Sequence, residues 1–563
     1  MATTPTTLKE LLEQSAQAFG DRPALGMVGG ASLSYRMLQD RAEALRTLLR
    51  DRGIVHGDRV VLLGENMPTW GVSFFAVTSL GAVAVPVLTD FPTPDIHHIL
   101  RHAECSAAIV SRRMLPKVED LEDSSCPTLI LMDDLSLMDR TSTRDTVGRI
   151  LNHGRGELQR MRGAALRASR RVPSSVQESD LASIIYTSGT TGHSKGVMLT
   201  HRNFIEDALA TVSIVSVTPS DRLLSILPLA HTYECTIGLV SPLLVGASVF
   251  YLDRPPTAAV LIPALSTVRP TVLLSVPLVI EKIYKNRIQP RLHGSALMRG
   301  LNRISPVRRR LHRAAGKKLL EVFGGELRIL AIGGAALAPD VELFLREARF
   351  PYAIGYGLTE TSPMVAGTSP ERTRFRSTGP ALPGTEIEIR NPEPETGEGE
   401  IFIRGPMVMK GYYKDPEKTA AVLDAEGWFR TGDLGVLDAD GYLYIKGRLK
   451  NMILGPSGKN IYPEEIEGVI NEQDTVLESL VYEEQDRLVA RIYLDYEKLD
   501  RLFPANTLSE PEVRNSVREL LESLRSTINS RLPPHNRIHR IVEQPEPFEK
   551  TPTQKIKRHL YIS

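Results

Sequence analysis

Short runs of β-forming residues alternate with helical patterns along most of this chain. Apolar residues recur at helical spacing over residues 38–52, and the run Arg59–Leu63 that follows has the composition of a buried strand. Similar β-rich runs, separated by helical patterns, occur at Ala107–Val110, Thr128–Leu131, 183–187, Val272–Ser275 and 328–332. Strands that alternate with helices favour parallel sheets flanked by helices. The sequence therefore predicts an α/β fold.

The pattern changes after about residue 375. Glu386–Arg390, Gly399–Arg404 and residues 441–446 alternate polar with apolar side chains, as half-exposed antiparallel strands do. A polar, basic break at residues 447–451 follows, and a small α+β unit lies beyond it. We therefore expect a large N-terminal domain over residues 1–448, with parallel-type sheets flanked by helices and a β-rich part at about 376–446. A small, mobile α+β C-terminal domain would cover residues 449–563.

Composition excludes several classes of protein. The 68 basic and 67 acidic side chains leave a net charge of +1, whereas a nucleic-acid-binding protein is usually strongly basic. The three widely spaced cysteines exclude a disulfide framework and fit a reducing compartment. No secretory signal is recognisable at the N-terminus. Prolines and glycines interrupt the uncharged stretches 66–89 and 236–252, so we expect buried helices and strands there rather than membrane spans. A cytoplasmic location is the prediction.

Two segments are locally basic. Residues 144–171 contain eight arginines against two acids, and residues 299–318 have a similar excess of basic side chains. One interpretation is a solvated helix face in each segment. The other is peripheral contact with an anionic membrane on its inner face, because clusters of Lys and Arg on amphipathic helices bind such surfaces. The sequence leaves both open.

The strongest local signal is YTSGTTGHSKGVMLTH at residues 186–201. It follows a β-rich run and precedes a predicted helix near Asn203. Two glycines, Gly189 and Gly192, lie among hydroxyl side chains, so the loop can fold closely around a phosphate while Lys195 adds a cation. The spacing is not that of a Walker A loop. Taken alone, a loop of this composition is often an ordinary turn.

The complete string resembles the phosphate-loop signature of the adenylate-forming superfamily, which includes acyl-CoA synthetases, luciferases and the adenylation domains of peptide synthetases. Further motifs of that superfamily follow in its order: LPLAHTY at 227–233, GGAA at 333–336, GYGLTET at 355–361, WFRTGDL at 428–434, GRLKN at 447–451 and TPTQKIK at 551–557. The resemblance spans nearly the whole chain. Within the superfamily, LPLAHTYE and AIGYGLTETSP are similar to bacterial long-chain fatty acid CoA ligases.

The resemblance implies an ATP site. Its expected residues are Thr187, Ser188, Gly189, Thr190, Thr191, Gly192, Lys195, Gly334, Ala335, Tyr356, Gly357, Thr359, Glu360, Asp433, Arg448 and Lys555. In the family pattern the Tyr356 ring stacks on adenine, opposite the Gly334–Ala335 backbone. Asp433 accepts the ribose hydroxyls and Arg448 reinforces it, a role that suits an acceptor-only carboxylate.

The resemblance also implies the catalytic machinery. Thr187 and Glu360 would hold Mg²⁺ on the phosphates, and Mg²⁺ usually takes one or two carboxylates together with phosphate and water. Lys555 matches the catalytic lysine, and Lys450 matches the hinge between the domains. His231 would border the carboxylate and acyl site, although a lone histidine is also often a packed side chain.

Differences between this sequence and other members of the superfamily narrow the range of possible substrates. The segment LPLAHTYECT lacks the aspartate with which peptide synthetases pair the ammonium of an amino acid, and no carrier attachment site follows the tail. The apolar stretch 236–249 fits a wall for an acyl chain. We therefore predict a ligase that joins a long-chain fatty acid to coenzyme A with ATP and Mg²⁺, through an acyl-adenylate.

Two alternatives remain at this stage. The acceptor could be an acyl carrier protein, which the basic segments would dock. The chain could also be a non-catalytic, membrane-associated scaffold on the same fold, but the intact Thr187, Lys195, Glu360, Asp433 and Lys555 argue against that.

Overall fold

A computed structural model describes residues 4–119, 128–138, 175–187, 194–455, 460–502, 510–551 and 556–562. The first of its two large sheets has seven strands, in the spatial order Tyr352–Ile354, Ile329–Ile332, Val272–Ser275, Arg222–Ser225, Ser248–Tyr251, Pro23–Met27 and Ser32–Ser34. Neighbouring strands are parallel except for the last pair. Parallel neighbours place their carboxyl ends at one edge of the sheet, where α/β proteins usually bind ligands.

The second large sheet also has seven strands, in the order Gly411–Tyr412, Lys195–Thr200, Leu181–Thr187, Val83–Val87, Arg59–Leu63, Ala107–Val110 and Thr128–Leu131. Its last five strands are parallel, and the first two add antiparallel pairs at one edge. The strands Leu181–Thr187 and Lys195–Thr200, which flank the glycine-rich loop, pair antiparallel, and antiparallel strands can be joined by a short connection.

Helices cover both sheets, and the largest hydrophobic core joins them. The helices of this part are Leu8–Phe19, Tyr35–Asp51, Pro68–Ser79, Thr93–His102, Pro116–Glu119, His201–Ile214, Ser241–Leu244, Ala258–Val268, Pro277–Ile283, Gln289–His293, Ala296–Arg303, Ser305–Val322 and Pro339–Ala348, with a 3₁₀ turn at Arg112–Met114 and π-helical turns at Tyr233–Val240 and Tyr284–Ile288. Pro68–Ser79 is buried on all sides, with Trp70 and Phe74 fully enclosed. No helix in the described part of the chain is long and apolar enough to cross a membrane.

An antiparallel sheet of five strands forms the β-rich part. Its spatial order is Gly379–Pro380, Tyr442–Arg448, Phe429–Leu437, Gly399–Arg404 and Glu386–Arg390. Shorter elements surround it: the strand pair Tyr356–Gly357 and Met364–Ala366, the helix Pro416–Ala420, and the 3₁₀ turns Thr359–Thr361 and Pro370–Arg372. The alternating pattern at residues 386–404 correctly predicted antiparallel pairing here.

The C-terminal part is α+β and has its own hydrophobic core. It contains the hairpin Ile453–Leu454 and Asn460–Ile461, the strands Val476–Glu484, Arg487–Leu494 and Arg540–Gln544, the helices Pro463–Asn471, Tyr496–Leu502 and Glu510–Asn529, and 3₁₀ turns at Leu449–Asn451, Pro534–Asn536 and Arg558–Leu560. The predicted fold class is confirmed. The limits 1–448 and 449–563 of the two domains stay a prediction.

Candidate active site

The two ends of the glycine-rich loop face each other across a strand pair. Thr187 ends the strand Leu181–Thr187, Lys195 begins the strand Lys195–Thr200, and the two residues are direct partners in the antiparallel ladder. This pairing places a hydroxyl and an ammonium side by side at the mouth of the loop. The predicted phosphate ligands Ser188, Gly189, Thr190, Thr191 and Gly192 lie outside the described residues.

The helix that follows begins two residues before the predicted position. It spans His201–Ile214, and a reciprocal cap fixes its start: Asn203 N donates to Thr200 Oγ1 at 3.2 Å, and Thr200 N donates to Asn203 Oδ1 at 2.7 Å. The intervening strand Lys195–Thr200 was not predicted. Asn203 Nδ2 also donates to the carbonyls of Pro406 (2.7 Å) and Val408 (3.0 Å), which ties the helix to the chain leading to Tyr412.

Glu360 is anchored through both its side chain and its backbone. Its Oε1 accepts a hydrogen bond of 2.9 Å from the hydroxyl of Tyr412. Its carbonyl accepts one of 2.8 Å from the N–H of Met409. The carboxylate therefore projects from a short 3₁₀ turn, Thr359–Thr361, whose position depends on the segment 409–412.

Residues 359–364, which we call the Glu360 segment, include this turn and are held by hydrogen bonds to two helical elements, His201–Ile214 and Tyr233–Val240. Thr236 Oγ1 donates to Ser362 O at 2.6 Å, and Met364 N donates to Asp207 Oδ2 at 2.7 Å. Burial raises the pKa of Asp207 well above its ordinary value, although the hydrogen bond from Met364 opposes the shift. Ser362 has φ of 75°, a left-handed conformation that a non-glycine residue keeps only when its surroundings enforce it.

Tyr356, Asp433 and Arg448 form one hydrogen-bonded group. The Tyr356 hydroxyl donates to Asp433 Oδ2 at 2.7 Å, and Arg448 Nε lies 3.0 Å from Asp433 Oδ1. Asp433 and Arg448 are partners on adjacent antiparallel strands. Burial, reinforced by the charge of Asp433, raises the pKa of Tyr356 well above its ordinary value, so the phenol remains a donor. Sequence reasoning expected Arg448 beside Asp433, and the structure places it there.

The predicted adenine loops begin at one edge of the first sheet. Residues 333–336 follow the strand Ile329–Ile332, and Gly355 follows the parallel neighbour Tyr352–Ile354. Gly334 has φ of 87°, and Gly334 and Ala335 are exposed. A Cβ on Gly357 would lie 1.7 Å from Pro363 O, so no other residue fits the close approach that Tyr356 requires.

His231 lies at the same edge, after the strand Arg222–Ser225. Its Nδ1 accepts a 3.4 Å hydrogen bond from Tyr233 N. Asn66, which sequence reasoning missed, clamps the preceding loop: its Nδ2 donates to Leu227 O at 2.6 Å and its Oδ1 accepts from Leu229 N at 2.9 Å. The loop that carries His231 is thus fixed by a side chain from the connection between the strand Arg59–Leu63 and the helix Pro68–Ser79.

The π-helix Tyr233–Val240 contains the first five residues of the predicted acyl wall, 236–240. The Tyr233 hydroxyl donates to Ala331 O at 3.1 Å, beneath the loop 333–336. Burial raises the pKa of Glu234 to about 8, and a hydrogen bond with Ser225 partly opposes this. A Cβ on Gly238 would lie 2.7 Å from the Glu234 carboxyl carbon, so glycine makes room for that side chain.

The predicted residues of the C-terminal part are only partly described. Lys450 is exposed in the 3₁₀ turn Leu449–Asn451, immediately after the strand that ends at Arg448. The next residue, Asn451, donates to Glu464 Oε1 at 2.6 Å. Lys555 and the basic segment 144–171 lie outside the described residues. The hinge role of Lys450 stays a prediction.

The described candidate ligands have distinct chemical preferences. The Thr187 hydroxyl and the Glu360 carboxylate are hard oxygen donors of the kind that suits Mg²⁺. The Lys195 ammonium suits a phosphate, and the Asp433 carboxylate suits a pair of hydroxyls. The described residues therefore fit a nucleotide with its magnesium ion.

Comparisons with known proteins agree with this chemistry. The sequence model of the family described as AMP-binding enzyme matches residues 12–413. The long-chain-fatty-acid–CoA ligase 1 of Homo sapiens is 29% identical, with 98% of this chain and 84% of that protein covered. The chloroplastic long-chain-fatty-acid–[acyl-carrier-protein] ligase AEE15 of Arabidopsis thaliana is 28% identical, with 98% and 85% covered.

A solved structure extends the likeness to the fold. The o-succinylbenzoate coenzyme A synthetase of Bacillus subtilis, in complex with ATP and magnesium ion, aligns with a TM-score of 0.72 at 22% identity and covers 98% of each chain. The family profile spans well over half of the residues, and the predicted superfamily is confirmed. The chain is an enzyme of the AMP-binding family.

Proposed function

We propose that this enzyme is an AMP-forming, ATP-dependent ligase that joins long-chain fatty acids to coenzyme A. A fatty acid carboxylate attacks the α-phosphorus of ATP, giving an acyl-adenylate and pyrophosphate. The thiol of coenzyme A then attacks the acyl carbon and AMP leaves, giving the thioester. The observation that carries the proposal is the hydrogen-bonded group of Tyr356, Asp433 and Arg448, whose buried carboxylate can accept the two hydroxyls of a diol.

Charge stabilisation on the phosphates is the main task of the protein in such a reaction. Lys195 would bind phosphate oxygens, and Thr187 and Glu360 would hold Mg²⁺. When bound, this ion neutralises charge that develops on the phosphoryl oxygens. Tyr356 would stack on adenine against Gly334 and Ala335, while Asp433 accepts the ribose hydroxyls.

The C-terminal part would complete the reaction. By resemblance, Lys555 contacts the reacting carboxylate and α-phosphate during adenylation, and Lys450 allows the domain after residue 448 to turn before thioester formation. An ammonium beside the transferring group stabilises charge that appears only in the transition state.

Two observations support a fatty acid as substrate. The π-helix Tyr233–Val240 and the helix Ser241–Leu244 offer mainly apolar side chains near His231. The human relative is named a long-chain-fatty-acid ligase. The Arabidopsis relative is named a ligase for acyl carrier protein, so that acceptor is the second candidate.

We also propose a cytoplasmic location with peripheral contact at the inner face of an anionic membrane, which a basic helix supports. On Ser305–Val322, four exposed basic side chains lie on one side of the helix: Arg309, Arg310, Arg313 and Lys317. Leu297, on the preceding helix Ala296–Arg303, and Ile304, between the two helices, are 72% and 53% exposed. Basic side chains near an anionic surface contribute about 1 kcal/mol each.

The membrane contact predicts that reversing two of these charges weakens binding. The variant Arg310→Glu/Arg313→Glu should lose roughly 10-fold or more in affinity for anionic vesicles. Arg50→Glu/Arg52→Glu is the control, because it makes the same charge change on exposed side chains at the C-terminal end of a different helix, Tyr35–Asp51. Equal co-sedimentation of both variants with anionic vesicles would contradict the assignment.

The function is tested by pyrophosphate release with carboxylates of increasing length. With coenzyme A present, we expect turnover to be highest with long-chain fatty acids and to yield the thioester. Replacement of coenzyme A by acyl carrier protein separates the two acceptors. If turnover is highest with short or aromatic carboxylates, the proposed substrate class is refuted. If no carboxylate leads to release of pyrophosphate, the non-catalytic alternative is favoured.

A further inference from the structure

Tyr412 contacts both charged groups of the proposed phosphate site. Its hydroxyl donates to Glu360 Oε1 at 2.9 Å. Its ring lies beneath the Lys195 ammonium, with Nζ 4.9 Å from the ring centroid. This distance is within the range of an attractive cation–π interaction. Sequence reasoning assigned roles to Glu360 and Lys195 but none to the tyrosine between them.

The backbone around Tyr412 is firmly held. Tyr412 N donates to Thr419 Oγ1 at 2.9 Å, and Tyr413 N donates to Gly196 O at 2.7 Å on the strand that begins at Lys195. Gly411 has φ of 140°, and a Cβ there would lie 2.7 Å from Thr419 Cγ2. Tyr412 itself is only 5% exposed. The ring and hydroxyl therefore have little freedom to move away from their two partners.

In this contact the Tyr412 hydroxyl is the donor and the Glu360 carboxylate is the acceptor. An ionised carboxylate has about four lone-pair sites, so it can accept this hydrogen bond and still bind a cation. The contact thus orients the Glu360 carboxylate without consuming its capacity for a metal ion.

The alternative arrangement would be unfavourable for binding. An ammonium and a carboxylate in one site attract each other, and a direct ion pair would have to break before Mg²⁺ and phosphate could take their places. Within the residues that the structure describes, no ion pair joins Lys195 to Glu360. Each of them contacts Tyr412 instead, one through the ring and the other through the hydroxyl.

We propose that Tyr412 is a positioning residue of the nucleotide site, which orients Glu360 and Lys195 separately and keeps their charges apart until Mg·ATP binds. The proposal rests on the nucleotide site described under the proposed function. It means that the site is organised for its ligand in advance, so little of the binding free energy is spent on rearrangement.

Three variants separate the two contacts. Tyr412→Phe keeps the ring and loses the hydroxyl, whereas Tyr412→Leu loses both. Tyr413→Phe is the matched control, because the neighbouring ring packs on His102 and Lys414 rather than on the site. The measurement is the affinity of ATP by titration calorimetry, without a carboxylate substrate, over a series of Mg²⁺ concentrations, with a melting temperature for each variant.

The expected results differ in kind. Without Mg²⁺, the ATP affinity of Tyr412→Phe should lie within about twofold of wild type. The Mg²⁺ concentration that gives half of the maximal increase in ATP affinity should rise roughly 10-fold, as expected for loss of a hydrogen bond to a charged group. Tyr412→Leu should in addition weaken ATP binding about threefold at every Mg²⁺ concentration, through loss of the cation–π contact. Tyr413→Phe should match wild type.

The proposal is overturned if Tyr412→Phe and Tyr413→Phe show the same Mg²⁺ dependence. If Tyr412→Leu fails to fold, the comparison of Tyr412→Phe with Tyr413→Phe still tests the role of Tyr412. A wild-type protein that binds Mg·ATP but releases no pyrophosphate with any carboxylate would refute the proposed function alone, and the calorimetric series would still judge Tyr412. A wild-type protein that binds no Mg·ATP would overturn both.

Discussion

The substitution Asp433→Asn tests the proposed ribose contact most directly. The Asp433 side chain is 7% exposed and accepts from Arg448 at 3.0 Å and from Tyr356 at 2.7 Å. An asparagine has only one acceptor oxygen. Its NH₂ group, which is a donor, must therefore point at either the guanidinium of Arg448 or the phenol of Tyr356. One hydrogen bond to a charged group is then lost, which costs about 1.5–3 kcal/mol, less the part that water restores at the half-exposed Arg448.

Asp433→Asn should also weaken ATP binding in a way that a general loss of stability would not. Loss of the charged acceptor should raise the KM for ATP roughly 10–100-fold. The discriminating assay compares ATP with 2′-deoxy-ATP in both proteins. Wild type should disfavour the deoxy nucleotide by roughly 10-fold, because Asp433 then has one hydroxyl fewer to bind. In Asp433→Asn the two nucleotides should be used almost equally.

Asp438→Asn is the matched control for this experiment. Asp438 accepts from Arg374 at 2.8 Å and from Tyr444 at 3.3 Å, just beyond the strand Phe429–Leu437 that carries Asp433. It should lose stability to a similar extent without any change in nucleotide preference. If Asp433→Asn discriminates against 2′-deoxy-ATP as strongly as wild type does, Asp433 does not contact the ribose and the reasoning is wrong.

Three further predictions use other residues. Glu360→Gln should raise the magnesium requirement of adenylation, because a ligand charge is lost; an unchanged titration would contradict this. Lys555→Ala should slow acyl-adenylate formation by roughly 10²–10³-fold yet still transfer the acyl group of supplied acyl-adenylate to coenzyme A. Lys450→Pro should form acyl-adenylate but fail to transfer its acyl group, because proline obstructs a rotation of the backbone. Equal slowing of both steps in single-turnover kinetics would refute domain alternation. Burial raises the pKa of Glu234 to about 8, so its neutral form is favoured in the folded state and its contribution to stability is lost as the pH rises from about 4.5 through 8. The melting temperature of Glu234→Gln relative to wild type should therefore increase between pH 5 and pH 8; a constant difference would argue against a neutral carboxyl.

Many helices and strands could be predicted from the sequence because hydrophobic pattern and the positions of proline and glycine are local properties. The buried helix and strand expected in the uncharged stretch 66–89 are present as Pro68–Ser79 and Val83–Val87, since hydrophobic pattern and proline position determine them. The motif strings placed Asp433 beside Arg448 because the family pattern contains both. The strand Lys195–Thr200 was missed, since its short apolar run follows a glycine-rich loop and precedes a helix with a similar composition.

Contacts between distant segments could not be predicted in this way. Tyr412 is 52 residues from Glu360, Asp207 is 157 from Met364, and Asn66 is 163 from Leu229. No local pattern marks a tyrosine or an asparagine as a support for another segment. Such roles depend on how the strands are ordered in the sheets, and strand order is a property of the whole chain.

The π-helix Tyr233–Val240 has a consequence for attempts to redesign the enzyme. The side chains of Tyr233, Glu234 and Thr236 each contact a different element: Ala331 in the strand before residues 333–336, Ser225 in the strand before the His231 loop, and Ser362 in the Glu360 segment. Under the proposed function, substitutions at these three positions that are meant to admit another acyl group should also disturb nucleotide and metal affinity. Engineering of the proposed chain-length preference would then be better confined to the remaining positions of this helix, and libraries that randomise all of it should yield mostly inactive clones.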